Sequence, residues 1–135
     1  ANVEIHREVG DENIVLFGLR SDEEIAYQKN GNYSAAEVIR SDPRLQRLLR
    51  QLQEGYFGLA PQHEFDPIVK HLTEENDPYF TLKDFDAYVR AQERINTLYA
   101  DRNAWNKMSV INTAASGVFS SDNTIRKYAD EIWNV

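Results

Sequence analysis

The side chains of this sequence best suited to acid–base or metal chemistry near neutral pH are its three histidines, His6, His63 and His71. None of them has a second histidine or a carboxylate at a spacing typical of a strong metal site. The nearest approach is His63-Glu64 followed by Asp66, but Pro67 places these residues where a loop enters a helix. The spacing therefore predicts no metal site.

Covalent catalysis would need a serine beside a base, or a lysine in an apolar setting. Ser120-Ser121-Asp122 has no histidine nearby, so a serine nucleophile would have no base. All five lysines stand in polar helical or turn contexts, unlike a Schiff-base lysine: Lys29, Lys70, Lys83, Lys107 and Lys127. No glycine-rich loop precedes a helix as a phosphate cradle would. We therefore predict no catalytic, cofactor-binding or metal-binding residue in this chain.

The net charge of the chain limits the classes of partner that it is expected to bind. The chain of 135 residues carries 22 acidic and 15 basic residues, a net charge of −7, which argues against nucleic acid and anionic membranes as partners. The basic run Arg44, Arg47 and Arg50 is typical of a solvated helix face. No apolar run is long enough to span a membrane. The absence of cysteine is typical of a cytoplasmic protein, and we expect one segment, 1–135, in that compartment.

Capping residues punctuate most of the chain and predict helices. Ser21 with Glu24, and Ser34 with Glu37, have the spacing of capping boxes. Aspartate followed by proline opens two further helices, and the first of these carries a stripe of leucines from Leu45 to Leu52. A long helix is predicted from about Asp84, and two more are predicted after position 104. The chain is therefore expected to be mainly α-helical.

One short stretch breaks this pattern. Ile14-Val15-Leu16-Phe17 is a continuous apolar run ended by Gly18, which is typical of a β-strand buried on both faces. Such a strand needs neighbours, and the only other candidate, Tyr79 to Leu82, is weak. We therefore expect one buried strand whose sheet lies outside this chain. The sequence also begins at Ala1 without an initiator methionine, so we expect a chain processed or excised from a longer one.

The last thirty residues contain two helical patterns joined by a polar elbow. Gly117 stands where a left-handed C-terminal cap is expected, and Ser120 to Asp122 can cap the final helix. The stretch reads Trp105-x-x-x-Ser-x-x-Asn-x-Ala-x-Ser-Gly-x-Phe-Ser-Ser-Asp-x-Thr-Ile-x-x-Tyr-Ala-x-x-Ile-Trp133. This wording resembles the C-terminal end of the α-glucan phosphorylases, the glycogen, starch and maltodextrin phosphorylases. Asn123 stands where that family usually carries arginine.

The resemblance extends over nearly the whole chain. Ala1 to Glu4, Asn13 to Gly18, and Asp84-Phe85-x-x-Tyr88-x-x-x-Gln92-Glu93-Arg94 resemble further stretches of the same family. It implies the C-terminal part of a doubly wound α/β domain, GT-B-like and Rossmann-type. It also implies a parent enzyme that is a pyridoxal-phosphate-dependent glycosyltransferase, whose cofactor lysine lies upstream of Ala1. That enzyme converts α-1,4-glucan and phosphate to glucose 1-phosphate.

Two hypotheses follow for the function. In the first, the chain is a structural segment of an α-glucan phosphorylase, inert alone, whose partner is the remainder of that polypeptide; a homo-oligomer remains open. In the second, it is an independent helical module that binds a protein through exposed aromatic side chains such as Tyr56, Phe57 and Trp133.

Overall fold

The structure is a computed structural model that describes residues 2–58 and 63–134. These residues form eight α-helices: α1 Asn2–Val9, α2 Ser21–Asn30, α3 Ala35–Ser41, α4 Pro43–Gln53, α5 Asp66–Thr73, α6 Thr81–Ala100, α7 Arg102–Ala115 and α8 Ser121–Tyr128. A 3₁₀ turn, Ser116–Phe119, precedes α8, and a π-helical turn, Ala129–Trp133, follows it. The expectation of a mainly helical chain is confirmed.

The chain divides into two compact units. The terminal unit combines Ala1–Leu16 with Ala91–Val135, and the central unit spans Phe17–Arg90. The core of the central unit is centred on Ala35, Leu45 and Leu82. Half-buried side chains surround these three residues: Tyr33, Val38, Ile39, Leu72 and Phe85. Of the leucine stripe of α4, Leu45 lies in this core and Leu49 is also buried.

The predicted buried β-strand at Ile14–Phe17 is wrong, and with it the assignment to a doubly wound α/β class. No β-strand occurs among the described residues, and Ile14–Phe17 runs between α1 and α2 without regular secondary structure. Leu16 is 50% exposed and Phe17 is 52% exposed. An apolar run becomes a strand only where a neighbour accepts its backbone hydrogen bonds. The other candidate cannot serve, because Thr81 and Leu82 open α6 instead.

Side-chain caps appear at most of the predicted helix starts. Asp42 Oδ1 accepts the Arg44 N–H at 2.9 Å, and Pro43 begins α4. The hydroxyls of Ser34 and Ser120 accept N–H groups of α3 and α8, both at 3.3 Å. At α2 the cap lies one residue earlier than predicted, because the Glu23 carboxylate accepts the Arg20 N–H at 2.9 Å.

Two other boundaries differ from the sequence-based expectation. The long helix α6 begins at Thr81 rather than Asp84, because the Asp77 carboxylate accepts the N–H groups of Thr81 and Leu82 at 3.0 and 2.7 Å. Gly117 is not in the left-handed region but lies inside the 3₁₀ turn. There the Ser120 N–H donates to the Gly117 carbonyl at 3.2 Å, which closes the turn without a positive φ.

Candidate docking surface

The apolar residues at positions 14–17, which we call the 14–17 segment, are half-buried at Ile14 and Val15 and exposed at Leu16 and Phe17. Within the described ranges, no N–H or C=O group of these four residues has a hydrogen-bond partner. Half of the Leu16 and Phe17 side chains is nevertheless exposed to solvent. A run of apolar side chains with free backbone groups is a surface that gains stability when another chain covers it.

In the terminal unit, an asparagine holds the beginning of this segment. The Asn112 side chain on α7 donates from Nδ2 to the Asn13 carbonyl at 2.8 Å and to the Met108 carbonyl at 2.9 Å. Asn112 is the asparagine of the Trp105–Trp133 stretch, where the sequence indicated a motif but not its task. Its amide fixes the chain immediately before Ile14.

Beside this clamp the terminal unit has an open groove of about 440 Å³. Ile14, Val15, Ile95, Trp105 and Met108 provide its apolar lining, and Asn13, Ser109, Asn112 and Thr113 its polar lining. The described residues that line the groove include no carboxylate, histidine or lysine that could act as a general acid or base. Its composition fits the burial of apolar side chains.

A second apolar surface lies on α8 and the π-helical turn. Ile125, Tyr128, Ile132 and Trp133, the C-terminal stripe, are between 45% and 62% exposed. Their helical spacing is typical of a face that packs against a core, but in the described part of the chain they are exposed. Asn123, in the place of the family's arginine, donates from Nδ2 to the Val118 carbonyl at 2.7 Å. It thereby ties α8 to the 3₁₀ turn through a neutral contact.

The central unit contains a buried polar cluster that sequence analysis missed. Asp77 is fully buried. Its Oδ2 accepts the Tyr33 hydroxyl at 2.8 Å and the Leu82 N–H, and its Oδ1 accepts the Thr81 N–H. Burial, and then the hydrogen bond to Asp77, raise the pKa of the Tyr33 hydroxyl well above its usual range. Asn76 joins in, accepting the Ala35 N–H at 2.8 Å and donating to the Tyr33 carbonyl at 3.1 Å. The Asp77-Pro78 dipeptide was the available sequence signal.

The histidines and Ser120, which the sequence analysis considered for chemistry, are not gathered in one site, and those described below contact residues near them in the sequence. His63 Nδ1 lies 2.9 Å from Asp66 Oδ2, and His71 Nδ1 lies 2.6 Å from Glu75 Oε2. No group of three histidine, aspartate or glutamate side chains in the described part of the chain is arranged to hold a metal ion. The Ser120 hydroxyl caps α8.

The lysines do not fit a pyridoxal phosphate site. All five side chains are exposed, and an aldehyde cofactor requires an amine enclosed in an apolar pocket. Lys83 lies 5.6 Å from the centre of the Tyr27 ring, and Lys70 lies 4.0 Å from a Glu74 carboxylate oxygen. We therefore derive no catalytic step through that cofactor from these residues. In the ranges 2–58 and 63–134, no helix has the length and apolarity needed to cross a membrane.

Comparison with known proteins shows which family and which relatives this chain is similar to. A family model described as carbohydrate phosphorylase matches residues 1–135. The chain is 45% identical over 135 residues to a glycogen phosphorylase of Bacillus subtilis (strain 168), covering 100% of this chain and 17% of that protein. It is 41% identical over 135 residues to the liver form of human glycogen phosphorylase, covering 100% of this chain and 16% of that protein.

A plant relative gives the same result. An alpha-glucan phosphorylase, H isozyme, of Vicia faba is 37% identical over 140 residues, covering 100% of this chain and 16% of that protein. The chain thus spans about one sixth of the length of these relatives.

Proposed function

The chain belongs to the carbohydrate phosphorylase family, and we propose that it is the C-terminal structural segment of an α-glucan phosphorylase. In the complete polypeptide, inorganic phosphate cleaves the terminal α-1,4-glucosyl bond of a glucan and releases glucose 1-phosphate. The observation that carries the proposal is the family match over all 135 residues of a chain that spans 16–17% of its relatives. The complete enzyme is assigned to the cytoplasm.

The role of this segment in that enzyme is mechanical. The remainder of the polypeptide covers the 14–17 segment and the C-terminal stripe, and provides partners for the free backbone groups. Covering apolar surface stabilises the assembly by about 25 cal/mol for each Å² removed from water. The exposed Leu16, Phe17, Ile132 and Trp133 side chains support this role.

The cofactor and the substrates are assigned to the remainder of the polypeptide. The exposed lysines, and a groove beside Trp105 whose described lining residues include no acid–base group, support this division. The glucan, phosphate and pyridoxal phosphate therefore bind outside residues 1–135. An independent helical module has no comparable support, because the family model covers the chain from end to end.

Complementation of two separately produced parts tests the proposal. The 135-residue chain is mixed with the remaining phosphorylase polypeptide, and glucose 1-phosphate release from maltodextrin is measured. We expect each part alone to be inactive and the mixture to be active. We also expect Leu16→Asp to weaken the association of the parts at least tenfold, because it places a charge in the covered surface.

A charge at another exposed position serves as the control. Ala36→Asp adds the same carboxylate to the exposed side of α3 and should leave association within twofold of the unsubstituted chain. A remainder that is fully active alone, or parts that show no association by sedimentation, would refute the proposed role.

A further inference from the structure

The central unit contains a cavity that shares only Phe17 with the surface that the proposed function has covered. It has a volume of about 440 Å³, and its lining residues are Phe17, Leu48, Tyr79, Thr81, Asp84, Phe85 and Tyr88. Four of the seven lining residues are aromatic. We call this cavity the aromatic cup. The Phe17 and Tyr88 rings meet edge to face, with their centroids 5.2 Å apart.

The cup has one carboxylate, that of Asp84. Its Oδ1 accepts the Leu19 N–H at 2.8 Å, while its Oδ2 has no hydrogen-bond partner among the described residues. No cation pairs with Asp84 in that part of the chain. The carboxylate of Asp86, two positions further along α6, is by contrast paired with Arg44 at 2.7 Å and with Arg90. The cup therefore combines aromatic rings with a carboxylate that makes no ion pair with a described residue.

The chemistry that matches this lining is a cation with an apolar exterior. Aromatic ring faces attract cations through their quadrupole, and a neighbouring carboxylate adds Coulomb attraction. One ring of the cup already has such a contact, because the Arg44 guanidinium carbon lies 5.2 Å from the centre of the Phe85 ring. A strongly hydrated inorganic ion would leave the apolar part of the lining without a partner.

We propose that the aromatic cup binds a small organic ammonium ion whose alkyl groups contact the rings while Asp84 balances its charge. The volume lies within the range of small-molecule sites. All lining residues belong to the central unit, and only Phe17 also belongs to the 14–17 segment that the proposed function has covered. The site is therefore proposed for the separate 135-residue chain, in which Phe17 is 52% exposed.

A pair of ligands of equal shape tests the charge requirement. Choline and its uncharged isostere 3,3-dimethylbutan-1-ol are titrated into the 135-residue chain, and the ring resonances of Tyr79 and Tyr88 are followed by NMR. We expect saturable shifts for choline, at an affinity at least about tenfold higher than that of the alcohol. Equal affinities, or no saturable shift with choline, would overturn the proposal.

Two substitutions separate the contributions of charge and ring. Asp84→Asn retains an oxygen for the Leu19 N–H and should lower the preference for choline over the alcohol, leaving only the part that the rings contribute. Tyr88→Leu retains apolar volume on α6 and should weaken choline at least fivefold more than the alcohol. Glu54→Gln, an exposed carboxylate outside the cup, should change neither affinity. An undiminished preference for choline over the alcohol in both cup variants would contradict the assignment.

Discussion

At the scale of single residues, position 18 shows most clearly why only one residue type, glycine, is suitable. Its φ is +86°, and a Cβ added there would lie 2.3 Å from Asp84 Oδ2. That carboxylate also accepts the Leu19 N–H, so it cannot withdraw without leaving a partner unpaired. Both the backbone angle and the neighbour therefore demand glycine.

Gly18→Ala should accordingly destabilise the central unit by about 3 kcal/mol, since a left-handed alanine costs about 1–2 kcal/mol and displacing Asp84 adds a similar amount. Urea unfolding measures the loss. Gly31→Ala is the matched control, because Gly31 has φ +60° with no atom within 4 Å of an added Cβ. It should lose only about 1 kcal/mol. Equal losses would show that the Asp84 contact contributes nothing.

At the scale of elements, the start of α6 depends on the cluster around Asp77. Its carboxylate accepts two amides of the first turn of α6 and the Tyr33 hydroxyl. A buried carboxylate remains stable only when its acceptors are paired. The cluster thereby joins the loop before α3 to the first turn of α6, the helix whose Leu82 enters the core of the central unit.

This cluster predicts a dependence of stability on alkaline pH. The pKa of Tyr33 is raised in the folded chain above the ordinary value of 10.0. Above that pH the unfolded chain therefore loses a proton that the folded chain keeps, and the stabilisation falls as pH rises. Urea unfolding between pH 8 and 11 should show a decline that is shallower in Tyr33→Phe.

The phenylalanine variant should also lose about 1–2 kcal/mol at pH 8, because Asp77 then lacks one donor. Tyr27→Phe removes a neighbouring hydroxyl that has no hydrogen-bond partner among the described residues, and serves as the control. Its pH profile should match that of the unsubstituted chain. Identical profiles for Tyr33→Phe and the unsubstituted chain would contradict the role of Tyr33.

The helices were predictable because their signals are local. Asp42-Pro43, Ser34 and Ser120 cap the turns that follow them, and Leu45 and Leu49 face the core at the spacing that the sequence shows. The error at Ile14–Phe17 has the opposite origin. An apolar run favours burial, but Leu16 and Phe17 are half exposed here. A strand also needs a neighbouring strand, and the described residues contain none.

The polar contacts were harder to predict because their partners are distant in sequence. Asp77 meets Tyr33 across 44 positions, Asp84 meets Leu19 across 65, and Asn112 meets Asn13 across 99. Spacing rules act over one or two turns and cannot indicate such pairs. The resemblance singled out Asp84 and Asn112 as motif residues, and the structure supplies their contacts.

At the scale of the whole molecule, exposed apolar surface and net charge oppose one another. The chain carries a net charge of −7, which keeps copies apart at low salt. It also exposes Leu16, Phe17, Ile132 and Trp133, each at 50% or more. Under the proposed function, the remainder of the phosphorylase polypeptide covers these residues. In the separate chain they remain available for contact between copies.

The separate chain should therefore self-associate, and increasingly so as salt rises. Raising ionic strength from 0.01 to 0.15 M shortens the screening length from about 30 to 8 Å, which weakens repulsion but not apolar contact. Sedimentation velocity should show larger species at the higher salt concentration, and an apolar dye should bind at both concentrations.

Leu16→Lys should reduce association although it lowers the magnitude of the net negative charge, because it removes apolar area where copies meet. Ala36→Lys makes the same charge change on α3 and should increase association slightly. A chain that is monomeric at every salt concentration, or equal effects of the two lysine substitutions, would show that the 14–17 segment is not the contact between copies.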